Sequence, residues 1–300
     1  MAAKLLDGRK IARQIRKRIK AEVARLKEES KIAPGLAVIL VGDDPASRTY
    51  VNTKKRICKR LGILSEEYTL SAETTEEALL RVIRKINADD RIHGLLVQRP
   101  LPPSIDTNLV TEAISPQKDV DCFHPQSVGR LTIGGAPLHP CTPLGVIRML
   151  ESEGFPFCGS KAVVIGRSIM VGKPLALMLL ERNCTVTLCH SRTQNLEEEV
   201  KKADLLVAAA GRAGLVEGSW IKEGSWVVDV GTNPTVDGSL TGDVDFEAAS
   251  ERAEFITPVP GGVGPMTIAM LMENTVNLAR LAGAGAKEDR ETSVMEEEEE

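Results

Sequence analysis

The sequence predicts an α/β protein with two α/β domains and mostly parallel sheets, and three observations support this prediction. Short apolar segments alternate with longer amphipathic segments in both halves of the chain, which is typical of parallel strands joined by helices. The length of 300 residues is sufficient for two hydrophobic cores. An apolar segment in the second half ends at a glycine and leads into a helix, which is the outline of a nucleotide-binding turn.

The first half begins with a predicted amphipathic helix. Ile11, Ile15 and Ile19 recur at a spacing of four residues, and Asp7 is placed to cap the helix. The elements predicted after it are a strand at 36–41, helices at about 47–61 and 74–86, and a strand at 93–98. Gly62 directly follows the 47–61 segment and is therefore predicted to be its C-terminal cap.

The second half begins with a predicted helix at 142–157. The elements predicted after it are strands at 162–165, 184–189 and 205–209, with helices at 172–181 and 195–203 between them. This order is the β-α-β-α-β unit of a Rossmann-type domain. Further strands are predicted at 226–230 and 254–256, and a last helix at 265–281.

Composition and charge argue against several classes of function. The net charge of −4 gives no general attraction to nucleic acid or to an anionic membrane, and no apolar run approaches the roughly 18 residues that span a bilayer. The cysteines lack a C-x-x-C pair and metal-ligand spacing, so we expect free thiols, a reducing cytoplasmic location and no metal site. The terminal glutamate run predicts a disordered acidic tail at 286–300.

The glycine turn in the second half lies in the stretch V-V-I-G-R-S-I-M-V-G-K-P. Gly166 can provide the tight turn, Ser168 can donate to a phosphate oxygen, and Gly172 can allow close packing of the following helix. The match to the G-x-G-x-x-G fingerprint is partial, because Gly172 arrives one residue late. An ordinary strand–turn–helix therefore remains an alternative reading of this stretch.

The end of the next strand indicates which dinucleotide would bind. An NAD site needs a carboxylate there, whereas this segment has His190, Ser191 and Arg192, with no acid before Glu197. Arginine pairs well with phosphate, and Arg167 adds a second cation at the first turn. The segment predicts an NADP site, with a merely polar loop as the alternative.

A lysine interrupts the apolar stripe of the 47–61 helix. At about 100° per residue, Lys54 falls among the apolar residues and away from the other basic residues. Lys54 can reach solvent along the core, or it can lie in a cleft where burial lowers its pKa and makes it a usable acid or base. Tyr50 lies one turn earlier and can stack on a flat ligand, and the amide of Gln98 can hold the lysine.

Two loops complete the candidate site. The stretch K-D-V-D carries Asp119 and Asp121, each of which could equally be a simple turn residue. The segment P-V-P-G-G-V-G-P, with Pro260, Gly261 and Gly262, leaves backbone N–H groups open to an anion or a polar ring. A tight turn is the alternative for this segment.

These motifs together resemble the bifunctional methylenetetrahydrofolate dehydrogenase/methenyltetrahydrofolate cyclohydrolase (FolD) family. The motifs in chain order are Y-V-N-T-K, G-L-L-V-Q, K-D-V-D, P-C-T-P, G-R-S-I-M-V-G-K-P, C-H-S-R-T and T-P-V-P-G-G-V-G-P-M-T. The resemblance covers about residues 5–281. It implies NADP-dependent oxidation of 5,10-methylenetetrahydrofolate, followed by hydrolysis to 10-formyltetrahydrofolate, in a cleft between the two domains.

The resemblance also implies roles for individual residues. Lys54 is expected to be the key group of the hydrolytic step and Gln98 to tune it, while Tyr50 stacks on the folate and Asp121 holds the pterin. Pro260, Gly261 and Gly262 are expected to line the folate pocket. The residues expected to bind NADP are Thr142, Gly166, Arg167, Ser168, Gly172, Ser191, Arg192 and Thr232.

The resemblance further implies a homodimer and a division of the chain. Residues 1–141 with 266–285 would form the folate-binding catalytic domain, and 142–265 the Rossmann-type NADP-binding domain. Three positions depart from the family pattern: Cys122 replaces a usual glycine, Ser127 a common asparagine and Arg99 a common leucine. Two alternatives remain open, an NADP-dependent dehydrogenase of another small substrate and a catalytically silent NADP-binding regulator.

Overall fold

The computed structural model describes residues 3–298, with side chains described for residues 3–284. The chain divides into two compact units, one of Met1–Ile15 with Val128–Met270 and the other of Arg16–Ser127 with Leu271–Glu300. We call them the nucleotide unit and the lysine unit. Residues 1–15 and 128–141 group with the nucleotide unit, whereas the sequence assigns them to the other domain; the predicted boundaries stay a prediction. The predicted acidic tail lies outside the residues whose side chains are described.

The lysine unit contains a three-stranded parallel sheet. Its strands are β2 (Gly35–Val41), β3 (Leu64–Leu70) and β4 (Gly94–Val97), in the order β3-β2-β4. The helices that follow these strands are α2 (Pro45–Leu61), α3 (Glu76–Asn87) and α4 (Thr107–Ala113). Strands β2 and β4 are buried along their whole length, as the apolar runs predict, and α3 packs Leu79 and Ile83 into the same core.

Helix α2 begins and ends at recognisable signals. The Asp44 carboxylate accepts a hydrogen bond from the Ser47 backbone N–H at 2.7 Å, which satisfies a free donor of the first turn. Gly62 adopts φ 79° and its N–H bonds to carbonyls of the last turn, so the predicted C-terminal cap is confirmed. The sequence did not reveal β3, because this edge strand is only partly buried and its residues are largely polar.

The nucleotide unit contains a six-stranded parallel sheet in the order β1-β11-β8-β7-β5-β6. Its strands are β1 (Lys4–Leu5), β5 (Lys161–Ile165), β6 (Thr185–Cys189), β7 (Leu205–Ala208), β8 (Trp226–Asp229) and β11 (Phe255–Ile256). The two-residue strands β9 (Asn233–Pro234) and β10 (Leu240–Thr241) form a separate antiparallel pair. Strands β5, β6 and β7 are parallel and alternate with helices along the chain, as the sequence predicts for this unit.

The remaining helices belong wholly or partly to the nucleotide unit. They are α1 (Gly8–Glu29), α5 (Pro125–Ile133), α6 (Cys141–Ser152), α7 (Gly172–Leu180), α8 (Leu196–Val200), α9 (Phe246–Ser250) and α10 (Val263–Glu298), with a 3-10 turn at Gly218–Trp220. The prediction that α6 extends to residue 157 is wrong. The helix stops at Ser152 because Gly154 turns the chain with φ 78° and Pro156 follows.

The predicted N-terminal helix is confirmed as α1. The Asp7 carboxylate accepts a hydrogen bond from the Lys10 backbone N–H at 3.0 Å, and Ile11, Ile15 and Ile19 are buried. In the described part of the chain, no helix has both the length and the apolar character needed to cross a membrane.

Candidate functional site

Lys54 and Gln98 form the hydrogen bond that the sequence predicts. The Lys54 ammonium, on the third turn of α2, donates to Gln98 Oε1 at 2.9 Å directly after β4. The Gln98 amide donates in turn to the Arg99 carbonyl oxygen at 2.8 Å, which turns its oxygen toward the lysine. Both side chains are half-buried, so Lys54 does not simply extend into water, and its ammonium has a neutral partner.

Tyr50 lies one helical turn before Lys54 and remains accessible. Its side chain is 42% exposed, which leaves the ring free for contact with a flat ligand. Nearby, the hydroxyl of buried Ser47 donates to the Arg99 carbonyl oxygen at 3.3 Å. This carbonyl therefore accepts from both Ser47 and Gln98 and links the start of α2 to the end of β4.

The two aspartates of K-D-V-D have different environments. Asp119 is buried and accepts hydrogen bonds from the backbone N–H groups of Phe123 and His124 and from the Ser127 hydroxyl, at 3.2, 2.8 and 2.7 Å. It therefore organises the loop. Asp121 is half-buried and lines a small cavity with Arg99 and Phe123. Of the two aspartates, Asp121 is the less buried.

The positions that depart from the family pattern surround Asp121. Cys122 is buried and adopts φ 60°, the left-handed region that favours glycine, as its place in the sequence suggests. Burial raises the pKa of the Cys122 thiol well above its usual value, and the charges of Asp119 and Asp121 add to the effect. Arg99 is half-buried, and burial lowers the pKa of its guanidinium while the charge of Asp121 opposes that change.

The turn between β5 and α7 accepts only glycine at two positions. Gly166 adopts φ 118°, and an added Cβ there would lie 2.1 Å from the Ala209 carbonyl oxygen. A Cβ at Gly172 would lie 1.8 Å from the Gly166 carbonyl oxygen. The Val171 backbone N–H donates to Ser168 Oγ at 3.1 Å, so the serine shapes the turn and keeps its own proton for another acceptor. These contacts show why a tight turn at Gly166 and close packing at Gly172 each need a residue without a Cβ.

The other predicted cofactor residues lie in the same unit. Arg167, Ser191, Arg192 and Thr232 are all exposed, and the last follows β8. The loop after β6 is held by a hydrogen bond within it, since the His190 N–H donates to the Thr193 hydroxyl oxygen at 2.8 Å. The Thr142 hydroxyl, by contrast, shares a 2.9 Å hydrogen bond with Thr267.

The segment that contains Pro260, Gly261 and Gly262 belongs to the nucleotide unit and is tightly packed. Gly261 adopts φ 121°, and a Cβ at Gly262 would lie 2.7 Å from the Pro258 carbonyl oxygen. The Arg9 backbone N–H donates to the Gly261 carbonyl oxygen at 3.2 Å. The glycines therefore allow this loop to pack against the start of α1. Lys54, Gln98, Tyr50 and Asp121 all belong to the lysine unit.

Two buried carboxylates that the sequence did not single out support the loops after β7 and β8. Asp243 accepts hydrogen bonds from the backbone N–H groups of Ala210, Gly211 and Arg212 and from the Asn233 amide. Asp229 accepts from the N–H groups of Gly231, Asp243 and Val244. Burial raises the pKa of Asp229 to about 6, against the lowering by these hydrogen bonds. No group of His, Cys, Asp and Glu in the described residues could hold a metal ion.

Comparison with known protein domains gives two matches. Residues 6–121 match the domain described as "Tetrahydrofolate dehydrogenase/cyclohydrolase, catalytic domain". Residues 140–282 match "Tetrahydrofolate dehydrogenase/cyclohydrolase, NAD(P)-binding domain". The two matches are consecutive and together cover most of the chain.

Whole-chain comparisons agree with the domain matches. The chain is 56% identical over 278 residues to the bifunctional protein FolD of Geotalea daltonii, covering 93% of this chain and 99% of the relative. It is similar to the crystal structure of the bifunctional FolD methylenetetrahydrofolate dehydrogenase/cyclohydrolase from Campylobacter jejuni, with a TM-score of 0.90, 47% identity and coverage of 93% and 99%. The Trypanosoma brucei FolD structure, complexed with NADP and an inhibitor, has a TM-score of 0.91, 40% identity and coverage of 94% and 99%.

Proposed function

Because the chain belongs to the tetrahydrofolate dehydrogenase/cyclohydrolase family, we propose that it oxidises 5,10-methylenetetrahydrofolate with NADP and hydrolyses the product to 10-formyltetrahydrofolate. The observation that carries this proposal is the Lys54–Gln98 hydrogen bond of 2.9 Å, beside the exposed Tyr50 ring. It combines a group that can move a proton with a surface that can align a flat substrate.

The oxidation step depends mainly on alignment. NADP, when bound, accepts the hydride that leaves the methylene carbon of the substrate. The substrate nitrogen stabilises the cation that forms, so the protein has to hold two rings in contact and exclude water. Tyr50 is proposed to stack on the folate, and Asp121 to accept hydrogen bonds from the pterin N–H groups.

The hydrolytic step requires proton transfer near neutral pH. Water adds to the methenyl carbon and its oxygen loses one proton. N5 takes up a proton, the bond from this carbon to N5 breaks, and the oxygen loses its second proton to give the formyl group, so that one proton is released overall. Lys54 is proposed to carry these protons. The Gln98 amide accepts a hydrogen bond from Lys54 and can hold the lysine in place for this role.

The glycine turn of the nucleotide unit fits a dinucleotide. A Cβ at either Gly166 or Gly172 would overlap a carbonyl oxygen, so the turn brings bare backbone to the start of α7, where a pyrophosphate can bind. The segment after β6 offers Ser191 and Arg192, both exposed, and no carboxylate, which favours the 2′-phosphate of NADP over the free hydroxyl of NAD. Arg167 is proposed to assist them.

The proposal is tested by supplying the purified protein with 5,10-methylenetetrahydrofolate and either NADP⁺ or NAD⁺. Formation of reduced nicotinamide and of 10-formyltetrahydrofolate is measured separately. We expect turnover that favours NADP⁺, followed by hydrolysis. Absence of turnover with both cofactors would overturn the assignment.

A lysine variant separates the two steps. Lys54→Met should lower methenyltetrahydrofolate hydrolysis by about 10²–10⁴-fold, which is the usual contribution of a general acid or base. Lys59→Met is the matched control, because Lys59 lies on the same helix and is exposed. Equal hydrolysis by wild type and Lys54→Met would exclude the lysine from this step.

We also propose a homodimer and a cytoplasmic location. Strand β6 forms an edge of the six-stranded sheet. Leu188 on this strand and Leu180 at the end of α7 are 36% and 60% exposed, which favours pairing with a second copy. Light scattering should give a molar mass of twice that of one chain, and Leu188→Lys should lower the measured mass to that of a single chain. All six cysteines are free thiols, as a reducing compartment requires, and cell fractionation tests that location.

A further inference from the structure

The loop that carries Asp121 includes a strained residue. Cys122 adopts φ 60° with its side chain buried. The left-handed region disfavours a residue with a Cβ relative to glycine. The neighbouring interactions must therefore hold this backbone in place, or Asp121 would lose its orientation.

Arg99 interacts with the residues on both sides of Cys122. Its guanidinium carbon lies 5.5 Å from the centroid of the Phe123 ring, within the range of a cation–π interaction. Asp121 lines the same small cavity as Arg99 and Phe123, and its charge acts on the same guanidinium. One cation thus acts on the residue before and on the residue after the strained position.

The guanidinium is itself held in place. Its Nη2 donates to the hydroxyl of Thr111 on α4 at 3.0 Å, and that hydroxyl donates to the Thr107 carbonyl oxygen at 2.7 Å. The Arg99 carbonyl oxygen accepts from Ser47 and Gln98, so the backbone of this residue is also fixed. A side chain held at both ends presents its charge at a defined point.

We propose that Arg99 is a positioning residue for substrate binding, which holds Asp121 and Phe123 on either side of left-handed Cys122 and so keeps the Asp121 carboxylate ready for the pterin. The inference rests on the proposed function, in which Asp121 is the pterin ligand. The Asp119 carboxylate acts on the following part of the loop, where it accepts hydrogen bonds from the backbone N–H groups of Phe123 and His124.

The test compares KM for 5,10-methylenetetrahydrofolate in Arg99→Met, Arg99→Lys and the wild type. We expect Arg99→Met to raise KM about fivefold with kcat and KM for NADP changed less than about twofold, because the interaction acts through binding. Arg99→Lys keeps the charge and should recover at least half of the loss. Arg84→Met, the loss of an exposed arginine on α3, is the control for charge alone.

A double-mutant cycle with Cys122→Gly tests the link to the strained residue. Glycine removes the strain, so Arg99→Met should raise KM less, about twofold, in that background. An equal rise in both backgrounds would overturn the proposal, as would an unchanged KM for Arg99→Met. If Arg99→Met does not fold, Thr111→Val tests the same proposal, because it removes the hydroxyl that accepts from the Arg99 guanidinium. We expect KM for the folate substrate to rise about twofold, and an unchanged KM would overturn the proposal.

Inactivity of the wild type would refute the proposed function and not this inference alone. An active wild type with an unchanged KM in the arginine variant would refute only the role of Arg99. The two failures are therefore distinguishable.

Discussion

The β5–α7 turn and the Lys54–Asp121 region are built in different ways. In the turn, bare backbone forms the binding surface, and Gly166 and Gly172 have no room for a Cβ. In the Lys54–Asp121 region, long polar side chains form the surface, and the charged groups of Lys54 and Arg99 donate hydrogen bonds to neutral acceptors. Substitutions in the turn should therefore lower both NADP binding and the free energy of unfolding. Substitutions around Lys54 and Asp121 should instead affect folate binding or a single step of the reaction.

The largest expected effect tests the backbone-built turn. Gly172→Ala should lower the free energy of unfolding by about 3 kcal/mol, because its Cβ would lie 1.8 Å from a backbone oxygen and force the turn apart. NADP binding should be lost with it. Urea unfolding and a cofactor titration measure the two effects. Gly129→Ala in α5 is the control, with open space around it and an expected gain of about 0.5–1 kcal/mol.

The second prediction concerns the buried carboxylate that supports the nucleotide unit's loops. The pKa of Asp229 is raised from 3.8 to about 6, so its stabilising contribution is complete below pH 4 and is lost as the pH rises through 6. The free energy of unfolding of wild type minus that of Asp229→Asn should therefore fall by roughly 3 kcal/mol between pH 4 and 7.

Unfolding in urea at several pH values measures this difference. Glu251→Gln, an exposed acid of the same unit, is the control and should show no such trend. A difference that rises with pH would mean that the three backbone hydrogen bonds outweigh burial.

A smaller effect is expected from the loop in the lysine unit. Ser127→Ala removes a 2.7 Å hydrogen bond to the buried Asp119 carboxylate and should cost about 2 kcal/mol. Ser127→Asn should recover part of the loss, since its amide can also donate. Ser115→Ala serves as the control, because no hydrogen bond of its hydroxyl is found in the described residues. Thermal unfolding distinguishes these variants, and equal melting temperatures would contradict the role of Asp119.

The smallest expected effect is the difference in the free energy of unfolding between a glycine and an alanine variant at the same position. At Cys122, with φ 60°, the glycine variant should be about 1 kcal/mol more stable than the alanine variant. At Glu112, an exposed residue of α4, the same pair should have the opposite order by about 1 kcal/mol. The same order at both positions would show that the Cys122 backbone relaxes.

Much of the fold follows from local sequence signals. The Asp7 and Gly62 caps, the buried strands β2 and β4, and the alternation of strands and helices after residue 160 all depend on patterns within a few residues. The Lys54–Gln98 contact was also predictable, because a polar residue within an apolar stripe needs a partner and strand ends meet at one edge of a parallel sheet.

Other features depend on contacts that no local pattern encodes. Strand β3 is a partly buried edge strand, so its sequence lacks a continuous apolar run. Asp229 and Asp243 bond backbone groups of loops distant in the chain, and carboxylates of this kind resemble ordinary turn residues. The position of Arg99 between Asp121 and Phe123 depends on where two loops meet, which the sequence at each loop does not state.

The pairing of β1 with β11 has a consequence for synthesis on the ribosome. Lys4 and Leu5 form their sheet contacts with Phe255 and Ile256, almost the whole chain later. The lysine unit's sheet, by contrast, needs only residues up to Val97. We expect a nascent chain stopped at residue 250 to protect β2 to β4 from proteolysis while its first strand remains unpaired. Strand β1 is thus synthesised before the other strands of the nucleotide unit, but it can pair with β11 only after residues 255–256 have been made.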